Sequence, residues 1–308
     1  MRASLEHLLE GVIDYAGIFP PAKLEMREAL ENYLRYQTGP ERWLVSRFVC
    51  STARLKELAE HLEALPAAAA IPVSAVASSP PKDRGAWEDN LAHDATAMND
   101  FQKLAGERAE IVAYETRVPD LEQVALYARD LKGFDEVDVF VELPWGAGLP
   151  EAVGALAETE WLGAKGRTGG AAPEAFPSAE AVAELIHQCV SLDVPFKLTA
   201  GLHDPLPNRE TQIGADAHGF LNVLGGAALA LAQDLSPAEV AAVLRASEAS
   251  SWSFQDDGFA YRGLEVSLEE IDEARSILVA IGSCSVLEPL EGLAALGLGG
   301  NPPAKGSH

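Results

Sequence analysis

The sequence predicts an α/β protein of the (β/α)8 TIM-type barrel class, with a β-hairpin inserted between strands 7 and 8. Three observations predict it. Apolar runs alternate along the chain with amphipathic stretches, capping-box starts mark helices between them, and no linker or shift of composition divides the sequence. Strand and helix in alternation imply parallel strands joined by crossover helices, and eight candidate strands match the count of a closed barrel. A doubly wound open sheet is the alternative architecture. The barrel domain is placed at 1–298, with the Gly- and Pro-rich 299–308 as a disordered tail.

The candidate strands are Val12–Ala16, Leu44–Cys50, Ile71–Ser78, Glu110–Val118, Val137–Leu143, Trp161–Arg167, Phe196–Leu202 and Ile277–Ser285. The first competes with a helix over Leu5–Tyr15, and the last with an extension of the helix opened by Ser267. Between strands, Ala179–Leu192 repeats Val182, Leu185, Ile186, Cys189 and Val190 on one helical face, and Leu121–Leu131 is similar. Ser236-Pro-Ala-Glu239 and Ser267-Leu-Glu-Glu270 are capping boxes, the first with proline where a helix tolerates it. Asp257-Gly258 between the aromatic residues of Trp252–Tyr261 is the hairpin signal.

Composition narrows the function classes. A net charge of −24 repels phosphate backbones, so nucleic acid is not an expected partner. No apolar run reaches the roughly 18 residues of a membrane span, and the N-terminus lacks a secretory layout, so neither membrane nor export is expected. Cys50, Cys189 and Cys284 are sparse and far apart, which suits a reducing cytoplasm and no zinc-ligand spacing. The expected partner is a small anionic substrate, with a homo-oligomer left open.

In a barrel the chemistry gathers where strands end at their C-terminal face. Strand 4 ends with Glu115 and Arg117, strand 5 with Glu142, strand 6 with Lys165 and Arg167, and strand 7 with Lys197 and Thr199. Residues two apart on a strand share a face, and neighbouring strands lie about 4.8 Å apart, so these groups converge. Cations on core strands need anionic partners, either protein carboxylates or a ligand. Lys165 and Arg167 therefore either close an ion network with Glu115 and Glu142 or hold an anionic substrate. Lys197, Lys165, Glu142, His203 and Glu115 are the catalytic candidates. Arg167, Thr199, Gly169, Gly170, Ser283, Ser285, Asp14 and Tyr15 are the binding candidates. The turns Thr168-Gly169-Gly170 and Gly282-Ser-Cys-Ser285 offer backbone N–H groups to an anion.

His203 follows strand 7 directly and serves as acid–base candidate, while His218 opens a second loop over the rim. No cofactor is expected; the alternative is a divalent metal on His203, His218 and Glu142, with Asp204 in reserve. His187 sits on an amphipathic helix and reads as structural. Cys284, with no spacing that names a base, reads as packed. In Ile13-Asp-Tyr-Ala-Gly-Ile-Phe-Pro-Pro21, either Asp14 or Tyr15 reaches the site if this is a strand; if it ends a helix, it plugs the barrel floor.

Asp14-Tyr-Ala-Gly-Ile-Phe-Pro-Pro21, Lys197-Leu-Thr-Ala-Gly-Leu-His203, His218-Gly-Phe-Leu-Asn-Val223 and Gly282-Ser-Cys-Ser285 resemble segments of a group of uncharacterised bacterial proteins of similar length. That likeness covers most of the chain and implies no activity. Lys197 with Thr199 and Gly201 is locally similar to class I aldolases of the deoxyribose-phosphate type, whose Schiff-base lysine lies in a strand-borne Lys-x-x-Thr-Gly or similar segment. The likeness implies an imine-forming Lys197. It departs from the family in strand, seventh instead of sixth, and in the spacing to glycine. The expected function is a lyase or isomerase acting on a small phosphorylated or carboxylated carbonyl compound. In it, Lys165 and Arg167 would activate Lys197 by like-charge repulsion. Metal-dependent chemistry and anion binding without catalysis are the alternatives.

Overall fold

The computed structural model describes residues 1–64 and 70–298; the expected tail 299–308 lies outside them. Strands β1 (Ile13–Tyr15), β2 (Val45–Ser51), β3 (Ile71–Val76), β4 (Ala109–Arg117), β5 (Asp138–Glu142), β6 (Leu162–Arg167) and β7 (Phe196–Thr199) are followed by an excursion. The excursion carries β8 (Asn208–Glu210), β9 (Ala215–Ala217), β10 (Trp252–Phe254), β11 (Gly258–Tyr261) and β12 (Leu264–Ser267) before β13 (Leu278–Ser283). β1 to β7 and β13 form one closed parallel barrel, in the order β1-β13-β7-β6-β5-β4-β3-β2. The barrel class is therefore as the alternation of segments predicts.

Among the described residues eleven α-helices cover the wall and the excursion. They are α1 (Ala3–Leu9), α2 (Met26–Thr38), α3 (Leu55–Glu63), α4 (Arg84–Ala105), α5 (Val124–Asp130), α6 (Leu149–Ala157), α7 (Ala179–Ser191), α8 (Phe220–Gln233), α9 (Pro237–Leu244), α10 (Leu268–Ile277) and α11 (Leu287–Ala295). Both ambiguities of the sequence resolve the same way, into a helix followed by a strand. α1 ends at Leu9 and β1 begins at Ile13; α10 ends at Ile277 and β13 begins at Leu278. Gly11, with φ of 58°, makes the first of these turns, a conformation that costs glycine no steric penalty.

The hairpin at Asp257-Gly258 is present, and it is part of a three-stranded antiparallel sheet, β10-β11-β12. A Cβ on Gly258 would lie 2.2 Å from the Val266 carbonyl oxygen, so glycine there lets β12 close up. A second, two-stranded ribbon, β8-β9, follows β7 directly. The segment from His218 is not simply a rim loop. Gly219 caps α8, and Phe220, Leu221 and Asn222 form the first turn of a helix buried on nearly every side. Its apolar residues run all round rather than along one stripe, the pattern of a helix covered by neighbours. Among the described residues no helix is long and apolar enough to cross a membrane.

The outer face of the wall is the main core. Tyr15, Tyr33, Tyr36 and Phe48 interlock between β1, β2 and α2, with ring centroids 5.5 to 6.3 Å apart. Asp14 and Tyr15 are successive residues of β1, so they point to opposite faces of the wall. Tyr15 joins this aromatic layer, and Asp14 is left to face the lumen.

Candidate functional site

Parallel strands in register present paired residues on the same face. Lys165 pairs with both Lys197 and Glu142, and Arg117 pairs with Glu142, which fixes four charged groups on adjoining strands. Closure of the barrel adds Asp14 from the far side. The Lys197 ammonium donates to Asp14 Oδ2 and to Glu115 Oε1, the latter at 2.7 Å. Lys165 Nζ lies 2.9 Å from Glu115 Oε2 and 3.1 Å from Glu142 Oε2. Arg117 reaches Glu142 Oε1 at 3.7 Å from the rim. The result is a chain of alternating sign, Asp14, Lys197, Glu115, Lys165, Glu142, that rises through the lumen to the mouth.

The chain is sealed at its lower end. Lys197 and Asp14 are 0% exposed, against 6% for Lys165 and 8% for Glu142. Beneath them Arg47 ties Asp14 to the floor: its backbone N–H donates to Asp14 Oδ1 at 3.3 Å, and its guanidinium pairs with Asp138 at 2.9 Å. Ser74 donates to Glu115 Oε1 at 2.6 Å, and the Phe140 ring lies 5.4 Å from Lys197 Nζ. Arg47, Ser74 and Phe140 are the members that sequence reading missed. Strand parity was the signal for Ser74, a lone hydroxyl in Ile-Pro-Val-Ser-Ala-Val.

The charges hold one another. Burial raises the Glu115 carboxyl, but Lys165 and Lys197 outweigh it and leave the group well below the usual carboxylate range. Burial likewise raises Glu142, and Lys165 with Arg117 and Arg167 brings it down. Burial lowers the Lys165 ammonium, while Glu115 and Glu142 more than reverse that, so it stays protonated at neutral pH. The expected activation of Lys197 by cationic neighbours is not what surrounds it: the charged groups hydrogen-bonded to its Nζ are two carboxylates. Desolvating ions on this scale stabilises a fold little or not at all. Such clusters concentrate where chemistry needs them.

The other candidates are distributed as follows. Arg167 shares the lumen-facing side of β6 with Lys165 but makes no ion pair among the described residues; its Nε donates to the Gly169 carbonyl at 3.0 Å. The Thr199 hydroxyl is buried without a hydrogen-bond partner. Gly169 is required by packing, because a Cβ there would lie 2.8 Å from Gly201 Cα; at Gly170 it would meet Ala175 at 2.7 Å. Thr168 donates to the Ala200 carbonyl at 2.6 Å, pinning this turn to the one after β7. Ala200 holds a left-handed φ of 67°, strain of the kind stored beside functional sites.

The turn after β13 satisfies itself. Ser283 Oγ donates to the Ser285 carbonyl at 2.7 Å, and Ser285 Oγ accepts from the Glu288 N–H at 3.2 Å. The Glu288 carboxylate belongs to the same first turn of α11 and receives His203 Nδ1 at 2.9 Å. An anion expected at this turn therefore meets a carboxylate already in place. His203 is engaged with Glu288, not with the lysine chain, and Glu288 raises its pKa above the ordinary value. His218 Nε2 bonds the Pro177 carbonyl at 2.9 Å, and burial lowers its pKa. His203, His218 and Glu142 thus have three separate partners and do not form one ligand set. Among the described residues no three His, Cys, Asp or Glu side chains group as a metal site.

Of the two β1 candidates, Asp14 reaches the lumen and Tyr15 does not. Burial pushes its phenol up to about 12, and it packs outside the wall rather than in the lumen. It lines a cleft of about 400 Å³ between the β1 and β13 loops, with Asn32, Tyr36, Cys284 and Glu288. Burial also raises the thiol of Cys284, which is half-buried. His187 Nδ1 bonds the Leu235 carbonyl, a structural role. No protein-family model, no curated protein and no solved structure matches the chain.

Proposed function

We propose that the chain is an enzyme acting next to the carbonyl of a small phosphorylated or carboxylated compound. It is a lyase of aldolase type or an isomerase, working through the lysines at the ends of β6 and β7. The observation that carries this reading is the carboxylate Glu115 held between two buried lysines, each of which has a second carboxylate of its own. Every proton-bearing group in the chain has an acceptor within hydrogen-bonding distance, which is what repeated proton transfer requires.

The nucleophile in this reading is Lys165. Lys197 is wholly enclosed, whereas Lys165 sits beside the rim residue Glu142. The aldolase likeness lies at Lys197, and Lys165 is preferred on position alone, at the end of β6 beside the mouth. Lys197 then acts as the fixed cation that holds Glu115 ionised beside the reacting centre.

The steps balance without a further reactant. With a carbonyl carbon against Nζ, the Lys165 ammonium passes one proton to Glu142 and the amine adds its lone pair to that carbon. A second N–H proton moves to the resulting alkoxide to give the carbinolamine, the proton on Glu142 goes to its hydroxyl, water departs, and an iminium remains. The iminium draws the electron pair of the adjacent C–H or C–C bond. The proton, or the carbonyl fragment, leaves while a carboxylate takes up the proton released. Incubation with a panel of sugar phosphates and keto acids under borohydride, followed by peptide mass spectrometry, tests this. A reduced adduct on Lys165, absent from Lys165→Arg, supports it. An adduct on Lys197 reassigns the nucleophile. Exchange of substrate α-hydrogen with solvent but no adduct replaces the imine with acid–base chemistry by the ammonium groups. Neither exchange nor adduct, with anions still bound, leaves an anion-binding protein.

A further inference from the structure

The charges at the mouth do not pair off. Arg117, Lys165 and Arg167 all act on the one rim carboxylate Glu142, in a chain whose net charge is −24. Each lysine is held by two carboxylates, and Arg47 is taken by Asp14 and Asp138 at the floor. Arg117 touches Glu142 only at 3.7 Å, and Arg167 has no carboxylate partner among the described residues. Both arginines are exposed, on strands that flank the Glu142 strand on either side. Beside Arg167 in register, the Thr199 hydroxyl is buried and unpartnered, a donor that leaves one hydrogen bond unmade.

We propose that the ligand of this mouth is a small monocarboxylate bearing a carbonyl group, its carboxylate held by Arg117 and Arg167 and its carbonyl directed at Lys165. This rests on the lysine-based reading above and narrows its substrate class. A guanidinium pair presents planar forks that match a carboxylate. Glu142 stands on the strand between the two arginines, so the second charge of a phosphate ester or a dicarboxylate is brought toward that carboxylate. Burying such an unbalanced charge is costly. The Thr199 hydroxyl gains its missing partner from a ligand oxygen.

Isothermal titration of the full chain at pH 7 and low salt tests the assignment, with pyruvate, 2-oxoglutarate, dihydroxyacetone phosphate and the neutral ketone hydroxyacetone as probes. Pyruvate is expected to bind at least tenfold tighter than the other three. Arg117→Met and Arg167→Met are each expected to weaken it at least tenfold while leaving hydroxyacetone unchanged. Both side chains are exposed, so the variants fold, and Arg167→Lys serves as a conservative control that recovers part of the affinity. Tighter binding of dihydroxyacetone phosphate or 2-oxoglutarate overturns the monocarboxylate and leaves the lysine chemistry standing. Pyruvate binding that ignores both arginines overturns their role. No binding of any probe, together with no borohydride adduct on Lys165, ends this inference and the reading beneath it.

Discussion

Asp14 and Tyr15 are neighbours on one short strand, both almost fully buried, and they belong to opposite kinds of interior. Tyr15 lies in an aromatic layer where burial itself is the stabilising force, at roughly 25 cal/mol for each Å² of apolar surface removed from water. Asp14 lies in a lumen where burial is a cost that only a complete set of partners offsets. The outer layer therefore tolerates loss in proportion to the volume removed. The inner chain instead depends on which partner is left behind, and that gives the comparison its tests.

The largest effect is expected at Glu115, the carboxylate shared by both lysines. Glu115→Leu leaves two buried ammonium groups short of a partner, and urea unfolding at pH 7 should show a loss of about 3–5 kcal/mol. Adding Lys165→Met in the same chain should recover part of that loss, because one orphaned charge is gone. A single-mutant loss below about 1 kcal/mol would mean that water or a rearranged neighbour already serves the lysines. The lumen would then differ from the outer layer in composition only.

The second test is acid pH, where the lumen carboxylates should respond and the aromatic layer should not. Glu115 and Glu142 are held below the usual carboxylate range, so their contribution is fully present above the unfolded-state values near pH 4 to 4.5. It is lost as pH falls further, through the folded values. Lys165 is raised, so its contribution is present below its unfolded value of about 10.4 and lost as pH climbs above that. Stability by thermal unfolding should show a plateau between these limits, tilted only by the small His203 contribution. Glu142→Gln should flatten the acid limb, and an unchanged acid limb would remove Glu142 from the chain. Aromatic-layer substitutions should shift the acid limb as a whole without changing its shape.

A third comparison stays within β1. Asp14→Asn keeps the shape and removes the charge from Lys197 and Arg47, with an expected cost of about 1.5–3 kcal/mol. Ile13→Val, one residue earlier on the outer face, removes one methylene at an expected cost of about 0.5–1.5 kcal/mol. Denaturant midpoints of the two variants measure the contrast directly. Equal losses would say that the strand, rather than its two faces, sets the energetics.

The same contrast explains what could be read from the sequence. Lys165, Lys197, Glu115 and Glu142 were legible because a strand has a period of two and each is a charge in an apolar run. Arg47 was not, because its partners Asp14 and Asp138 lie 33 and 91 positions away and meet only when the barrel closes. Asp14 and Tyr15 could be named but not told apart, since parity needs a strand whose inward side is known. The hairpin at Asp257-Gly258 is a local turn signal and appeared as expected. β12 was hidden because its last residue, Ser267, is also the cap of α10. Loop side chains were the least legible. Ser283 and Ser285 looked like anion ligands until the turn's own bonds and Glu288 filled their valences.

The smallest effect is expected at His203, which looked catalytic by position and is engaged at the rim. Its hydrogen bond to Glu288 raises its pKa above 6.5, and nearby Glu210 and Asp204 act in the same direction. A raised histidine stabilises the fold fully below its unfolded pKa, and that contribution fades as pH rises through the folded value. Glu288 is 57% exposed, so screening by water keeps the gain to about 0.5 kcal/mol or less. Titration of the His203 ring by NMR should therefore show a midpoint above the ordinary value that moves down in Glu288→Gln. Unfolding at pH 5.5 should favour the parent over that variant by only this small margin, and at pH 8.5 the two should coincide. A His203 midpoint that ignores Glu288 but shifts with Glu142→Gln would return the ring to the lumen chain, and with it the catalytic role that the sequence assigned.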